Sequence, residues 1–172
     1  MSPGEDEVHM RGAIAAARAN LGKTLPNPSV GCVLAKDGRV LATAATAPGG
    51  RPHAEEQVLE AAGASAKGAT AYVTLEPCSH YGRTPPCANA LIQAGVKRVV
   101  AGMQDPNPEV AGSGLKLLEA SGIMVESGLL ETEARALNPG FIKRMSHGMP
   151  YVRNKIAASL DGRTALPDGR SQ

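Results

Sequence analysis

The sequence predicts an α/β protein built as three layers, α/β/α, around a mixed central sheet. Two observations carry this. Apolar residues recur at helical spacing in some windows and form short, partly β-branched runs in others. After one opening hairpin, the two kinds of segment alternate along the chain. At 172 residues the chain suits one ordinary domain with a short extra piece, large enough to bury a core without disulfide staples.

The elements follow in order. Met10, Ala13, Ile14, Ala17 and Leu21 lie on one face of a helix over about residues 6–21, which Gly22, Pro26 and Pro28 end. Val30 to Ala35 reads as a buried strand. Lys36-Asp37-Gly38-Arg39 contains the Asp-Gly pair of a two-residue hairpin, with Val40 to Thr46 as the return strand. Pro48-Gly49-Gly50 breaks it. His53 to Ala62 is helical, with Gly63 as its stop. Thr70 to Leu75 is a strand. Pro85-Pro86 opens a helix that runs to Ala94. Arg98 to Gly102 is a strand, Asp105-Pro106-Asn107-Pro108 a loop, Gly114 to Ala120 a helix and Ile123 to Glu126 another strand. Residues 131–146 read as a last helix interrupted near Asn138-Pro139-Gly140. From Pro150 the character changes. Tyr151 to Ala158 reads as a strand, followed by Ser159-Leu160-Asp161-Gly162-Arg163 and a polar end, like the first strand of a second unit. The expected division is therefore 1–147 for the first domain and 148–172 for the opening of another.

Composition narrows the function classes. The net charge is +2, the aromatics are Tyr72, Tyr81, Phe141 and Tyr151, and there is no Trp. That argues against a large nucleic-acid surface, which would need a basic stripe and stacking platforms, though not against one base in a pocket. Three cysteines cannot pair off completely, so they read as thiols or metal ligands. Glu5, Asp6 and Glu7 open the chain, and the best apolar stretch, Ala13 to Ala17, is far too short to span a bilayer. A soluble cytoplasmic protein without membrane contact is expected.

Chemistry concentrates between His53 and Cys87. His53-Ala54-Glu55 stands at one helix start, and Glu76-Pro77-Cys78-Ser79-His80 leads through Pro85-Pro86 to Cys87 at another. One imidazole and two thiolates suit Zn2+, and three protein ligands leave the fourth position open as catalytic zinc requires. The unpaired amides of a helix's first turn favour a thiolate at Cys87. Glu55, two residues beyond His53, points off the histidine's direction and can serve as a proton shuttle without being a ligand. A structural site of His53, Cys78, Cys87 and His80 stays open as an alternative, although it leaves Glu55 without a use. Cys32, alone in a strand, reads as a small buried hydrophobe. His9 and His147 read as surface histidines. Glu76 reads as a salt-bridge, turn or substrate residue.

Zinc deaminases carry His-x-Glu and a later Pro-Cys-x-x-Cys. Here His53-Ala54-Glu55 and Pro77-Cys78 match, and the second cysteine comes late. The run Thr74-Leu75-Glu76-Pro77-Cys78-Ser79-His80-Tyr81-Gly82-Arg83-Thr84-Pro85-Pro86-Cys87 closely resembles the deaminase half of the bifunctional riboflavin-biosynthesis RibD family, whose fold is cytidine deaminase-like. Asn27-Pro28-Ser29-Val30-Gly31, Asp105-Pro106-Asn107-Pro108 and Asn138-Pro139-Gly140-Phe141 resemble it too, over about residues 8–163. The resemblance implies hydrolysis of the ring 2-amino group of 2,5-diamino-6-ribosylamino-4(3H)-pyrimidinone 5′-phosphate, with release of ammonia. It implies Glu55 as proton shuttle, His53, Cys78 and Cys87 as zinc ligands, and Asn27, His80 and Arg83 as substrate contacts. Many members carry a histidine a few residues before the His-Ala-Glu, and this chain has Thr46 in that neighbourhood. The family's second half is an NADPH-dependent reductase. Only Lys155 and Ser159 to Arg163 resemble its opening, so this chain is expected to lack that activity. A homo-oligomer is left open. The competing readings are a tRNA adenosine or cytidine-type deaminase and a zinc-stapled binding module without activity.

Overall fold

The computed structural model describes residues 3–81, 85–108 and 110–170. The first helix, α1, spans Pro3–Ala19. It buries Met10, Ala13, Ile14 and Ala17, while Leu21 falls beyond its end and stays 41 % exposed. The expected buried face is therefore one turn shorter at its end. Strands β1 (Gly31–Lys36) and β2 (Arg39–Ala45) form the expected hairpin, with Lys36 facing Arg39. Asp37 and Gly38 take φ values of 51° and 74°. That is the left-handed pair of a type I′ turn, which explains why an Asp-Gly dipeptide sits there.

Helix α2 (Ala54–Ala62), strand β3 (Thr70–Val73), helix α3 (Cys87–Gln93), strand β4 (Arg98–Ala101), helix α4 (Ser113–Ala120) and strand β5 (Met124–Ser127) then alternate. Two consecutive helices follow, α5 (Glu131–Leu137) and α6 (Pro139–His147), split at Asn138 where the sequence placed the interruption. The sheet order is β2-β1-β3-β4-β5. β1 pairs antiparallel with β2 and β3, whereas β3, β4 and β5 are parallel. The mixed sheet expected from the hairpin-then-alternation order is thus observed.

Strand alternation sorts the core into two layers. Cys32, Leu34, Ala71, Val73, Val99 and Ala101 face the side packed by Val58 of α2, Leu91 of α3 and Leu118 of α4. Val33, Ala35, Tyr72 and Val100 face the opposite side, packed by α1 and by Leu137 of α5. Cys32 is a fully buried thiol within this packing, as its strand position predicted.

Two expectations need correction. His9 is not a surface residue: it is buried, with its ring 5.0 Å from that of Tyr72. Its polar sequence neighbours hid the fact that α1 turns this position onto β3. His147 is exposed as expected. Tyr151 to Ala158 does not form a strand; residues 148–170 hold no helix or strand and are exposed throughout. A strand exists by pairing, and β propensity alone does not supply a partner. No described helix is long and apolar enough to cross a membrane.

Candidate active site

Two helix starts meet at the C-terminal end of the central strand β3. His53 is the N-cap residue of α2, and its amide donates to Glu56 Oε2 at 3.2 Å. Cys87 opens α3 directly after Pro86, and Cys78 follows β3 by a short turn. The Cys87 amide donates to Cys78 Sγ at 3.3 Å. His53 Nδ1 lies 3.3 Å from Cys87 Sγ and 3.8 Å from Cys78 Sγ. The three ligand atoms lie within 4.8 Å of one another. Cys87 and His53 beside it pull the Cys78 thiol down to about 4. The same contact with Cys78, together with burial, pushes the Cys87 thiol up, and Cys78 raises His53.

Glu55 stands beside the triangle on α2, 3 % exposed. Burial pushes its carboxyl up to about 7. Its Oε2 is buried and has no hydrogen-bond partner among the described residues. The metal test is therefore met on two independent counts. The donor set is nitrogen and two sulfurs, which fits Zn2+. The orphaned carboxylate oxygen is a group that a reactant, not the protein, has to satisfy.

The comparisons with known proteins agree. A family model described as the cytidine and deoxycytidylate deaminase zinc-binding region matches residues 3–103. The chain belongs to this deaminase family. It is 57 % identical over 168 residues to the riboflavin biosynthesis protein RibD of Escherichia coli K12, covering 98 % of this chain and 46 % of the relative. Among solved structures, Acinetobacter baumannii RibD superposes with a TM-score of 0.93 at 55 % identity, covering 98 % of this chain and 48 % of that one. A Thermotoga maritima diaminohydroxyphosphoribosylaminopyrimidine deaminase/5-amino-6-(5-phosphoribosylamino)uracil reductase gives 0.91 at 42 % identity, covering 98 % and 49 %. The chain spans about half the length of these relatives.

Within the deaminase fold, a cleft of about 230 Å³ opens onto His53, Glu55 and Cys78. Asn27 and His80 line it. Asn27 Nδ2 donates to the Gly50 carbonyl at 2.8 Å and lies 3.5 Å from His53 Nε2. His80 is exposed at the mouth and is not among the three clustered ligands. Arg83 lies outside the described residues. Thr46 also lines the cleft, and its hydroxyl both accepts from the Val30 amide (3.0 Å) and donates to the Val30 carbonyl (3.3 Å).

Three further residues, of which sequence reasoning reads only Glu76, carry much of the site's frame. Asn138, between α5 and α6, accepts from the Ser29 amide and donates to the Ser29 carbonyl, both at 2.8 Å. That two-way clamp holds the Asn27-Pro28-Ser29 segment. Asp105, half-buried at the cleft wall, has its carboxyl raised by burial. Glu76 turns out to be no salt-bridge residue among the described ion pairs; its carboxylate receives backbone amides instead. The resemblance of the Asn138 and Asp105 segments to family motifs was the available signal. What these residues touch depends on long-range pairing that spacing does not reveal.

Proposed function

We propose that the chain is a zinc-dependent hydrolytic deaminase acting on 2,5-diamino-6-ribosylamino-4(3H)-pyrimidinone 5′-phosphate, with His53, Cys78 and Cys87 as metal ligands and Glu55 as proton shuttle. The observation that supports this most is the unpartnered buried oxygen of Glu55 beside a nitrogen–sulfur–sulfur donor triangle. The substrate follows the name of the Thermotoga maritima relative and the riboflavin-biosynthesis relatives.

Zinc held there supplies Lewis-acid activation of water at neutral pH. Glu55 takes a proton from the attacking water, whose oxygen bonds to ring carbon 2. Glu55 then delivers a proton to the 2-amino group. The carbon–nitrogen bond breaks, ammonia leaves, and the remaining hydroxyl proton passes to the adjacent ring nitrogen so that carbon 2 keeps a carbonyl. A carboxyl raised by burial to about 7 can hold or release a proton near neutral pH, which suits both halves of that exchange. Asn27 and His80, which line the cleft, orient the substrate, and Arg83 offers its charge to the 5′-phosphate. Residues 1–147 form the deaminase domain, and 148–172 the opening of an NADPH-dependent reductase domain. The protein acts in the cytoplasm on a small molecule, without nucleic acid or membrane, and a homo-oligomer is the assembly to look for.

The test is ammonia release from the ribotide, assayed beside free nucleosides and RNA, with and without a zinc chelator. The expected result is release from the ribotide alone, abolished by chelator and restored by Zn2+. Release from RNA or nucleosides instead would assign another substrate, and chelator-insensitive release would remove the metal.

A further inference from the structure

Glu76 is 6 % exposed and ends the strand-to-turn segment that delivers Cys78. A buried carboxylate ordinarily needs a cation or several donors. Here it has three backbone donors. Oε2 accepts from the Asp105 and Gly112 amides, each at 2.9 Å, and Oε1 accepts from the Gly114 amide at 2.8 Å. All three come from one stretch, the connection between β4 and the first turn of α4. That stretch also closes onto the chain beside Glu76. A Cβ on Gly114 would lie 2.1 Å from the Pro77 carbonyl, and Ser79 Oγ meets Ser113 Oγ at 2.7 Å.

The same stretch supplies Asp105, Asn107 and Val110 to the cleft wall. The Asp105 carboxylate in turn accepts the Asn107 backbone amide at 2.8 Å, which fixes the Asp105 side chain against the backbone of the same wall. One carboxylate therefore ties a polar wall of the cleft to the turn that carries a metal ligand. We infer that Glu76 is a positioning residue for substrate recognition: it holds the Asp105–Asn107 wall at a fixed place relative to the His53/Cys78/Cys87 triangle. This rests on the ribotide reading above, whose ring and ribose polar groups the wall would meet. Glu76 lines the cleft as well, but both of its carboxylate oxygens are taken up by these backbone amides.

The geometry explains why the residue is Glu. Glutamine has nearly the same shape, but its NH2 group would confront at least one amide that needs an acceptor. The experiment uses the full chain and compares wild type, Glu76→Gln, Asp105→Ala and the double variant in ammonia release from the ribotide. Glu76→Gln is expected to keep its zinc, to raise KM about tenfold and to change kcat less than about threefold. In the Asp105→Ala background the same substitution is expected to change kcat/KM by less than about twofold, because residues acting through one another are not additive. Equal fold-losses in both backgrounds, or loss of zinc with activity, overturn the inference. If Glu76→Gln does not fold, Glu76→Asp, which keeps the charge on a shorter arm, is read by the same cycle.

Amide hydrogen exchange keeps the inference separate from the substrate assignment. Exchange at Asp105, Gly112 and Gly114 should quicken at least tenfold in Glu76→Gln, with α1 unchanged. Unchanged exchange overturns the positioning role whatever the substrate. Failure of the wild type to deaminate the ribotide, with exchange quickened as expected, overturns the substrate reading and leaves the clamp standing.

Discussion

A buried carboxylate oxygen without a partner, as at Glu55 Oε2, costs about 1–3 kcal/mol in an ordinary core. Its place beside three metal-type donors makes it a reactive group in waiting. Glu55→Gln should keep fold and zinc and lower kcat about 10²- to 10⁴-fold, checked by ammonia release and metal analysis. Turnover near the wild-type rate would take the proton-shuttle role from Glu55. Cys87→Ala should drop zinc well below one per chain, since a three-ligand site that loses one thiolate has little left. Full zinc in that variant would remove Cys87 from the site. The gathering of His53, Cys78 and Cys87 was legible from sequence because ligand chemistry restricts the residue types that can share an ion. Glu76 and His9 were not legible. The partners of Glu76 lie far along the chain, and the burial of His9 depends on which face α1 turns toward Tyr72.

Elements were read mainly from period and breakers. The hairpin came through whole because Asp37-Gly38 encodes its own backbone geometry. The split of α5 from α6 likewise followed from Asn138-Pro139. The strand expected at Tyr151 to Ala158 failed because its residues fit a pleated surface but meet none. Close packing between elements was invisible too. A Cβ on Gly31 would lie 1.9 Å from the Ala13 carbonyl oxygen, so α1 rests directly on the start of β1. Gly31→Ala should destabilise the fold by roughly 1–3 kcal/mol through this clash. Thermal unfolding will show a lowered Tm; an unchanged Tm would mean that α1 can slide away at no cost.

On the scale of the molecule, α1 is tied by charge to β4, on the face of the sheet that it covers. Arg98 of β4 forks onto both oxygens of Asp6 at 2.8 Å, and the Tyr72 hydroxyl donates to the same carboxylate. The Arg98 guanidinium holds the Asp6 carboxyl at about 2, below its usual 3.8. A carboxyl lowered on folding stabilises fully above its unfolded value and loses that contribution as pH falls through the folded one. The wild type should therefore lose about 1–2 kcal/mol, discounted for partial solvent screening, between pH 4 and pH 2. Asp6→Asn should be less stable than wild type at pH 7 and flatter across that window, as urea unfolding at several pH values will show. A parallel loss in both proteins would place the acid sensitivity elsewhere.

The same architecture brings two helix starts and a strand end together, and the account depends on what they hold. Zinc K-edge absorption spectroscopy of the metal-loaded protein measures this directly. Two sulfurs at about 2.3 Å, one imidazole nitrogen and one light-atom ligand exchangeable with solvent are expected. A second imidazole, with no exchangeable position, would mean a closed structural site and contradict the catalytic reading.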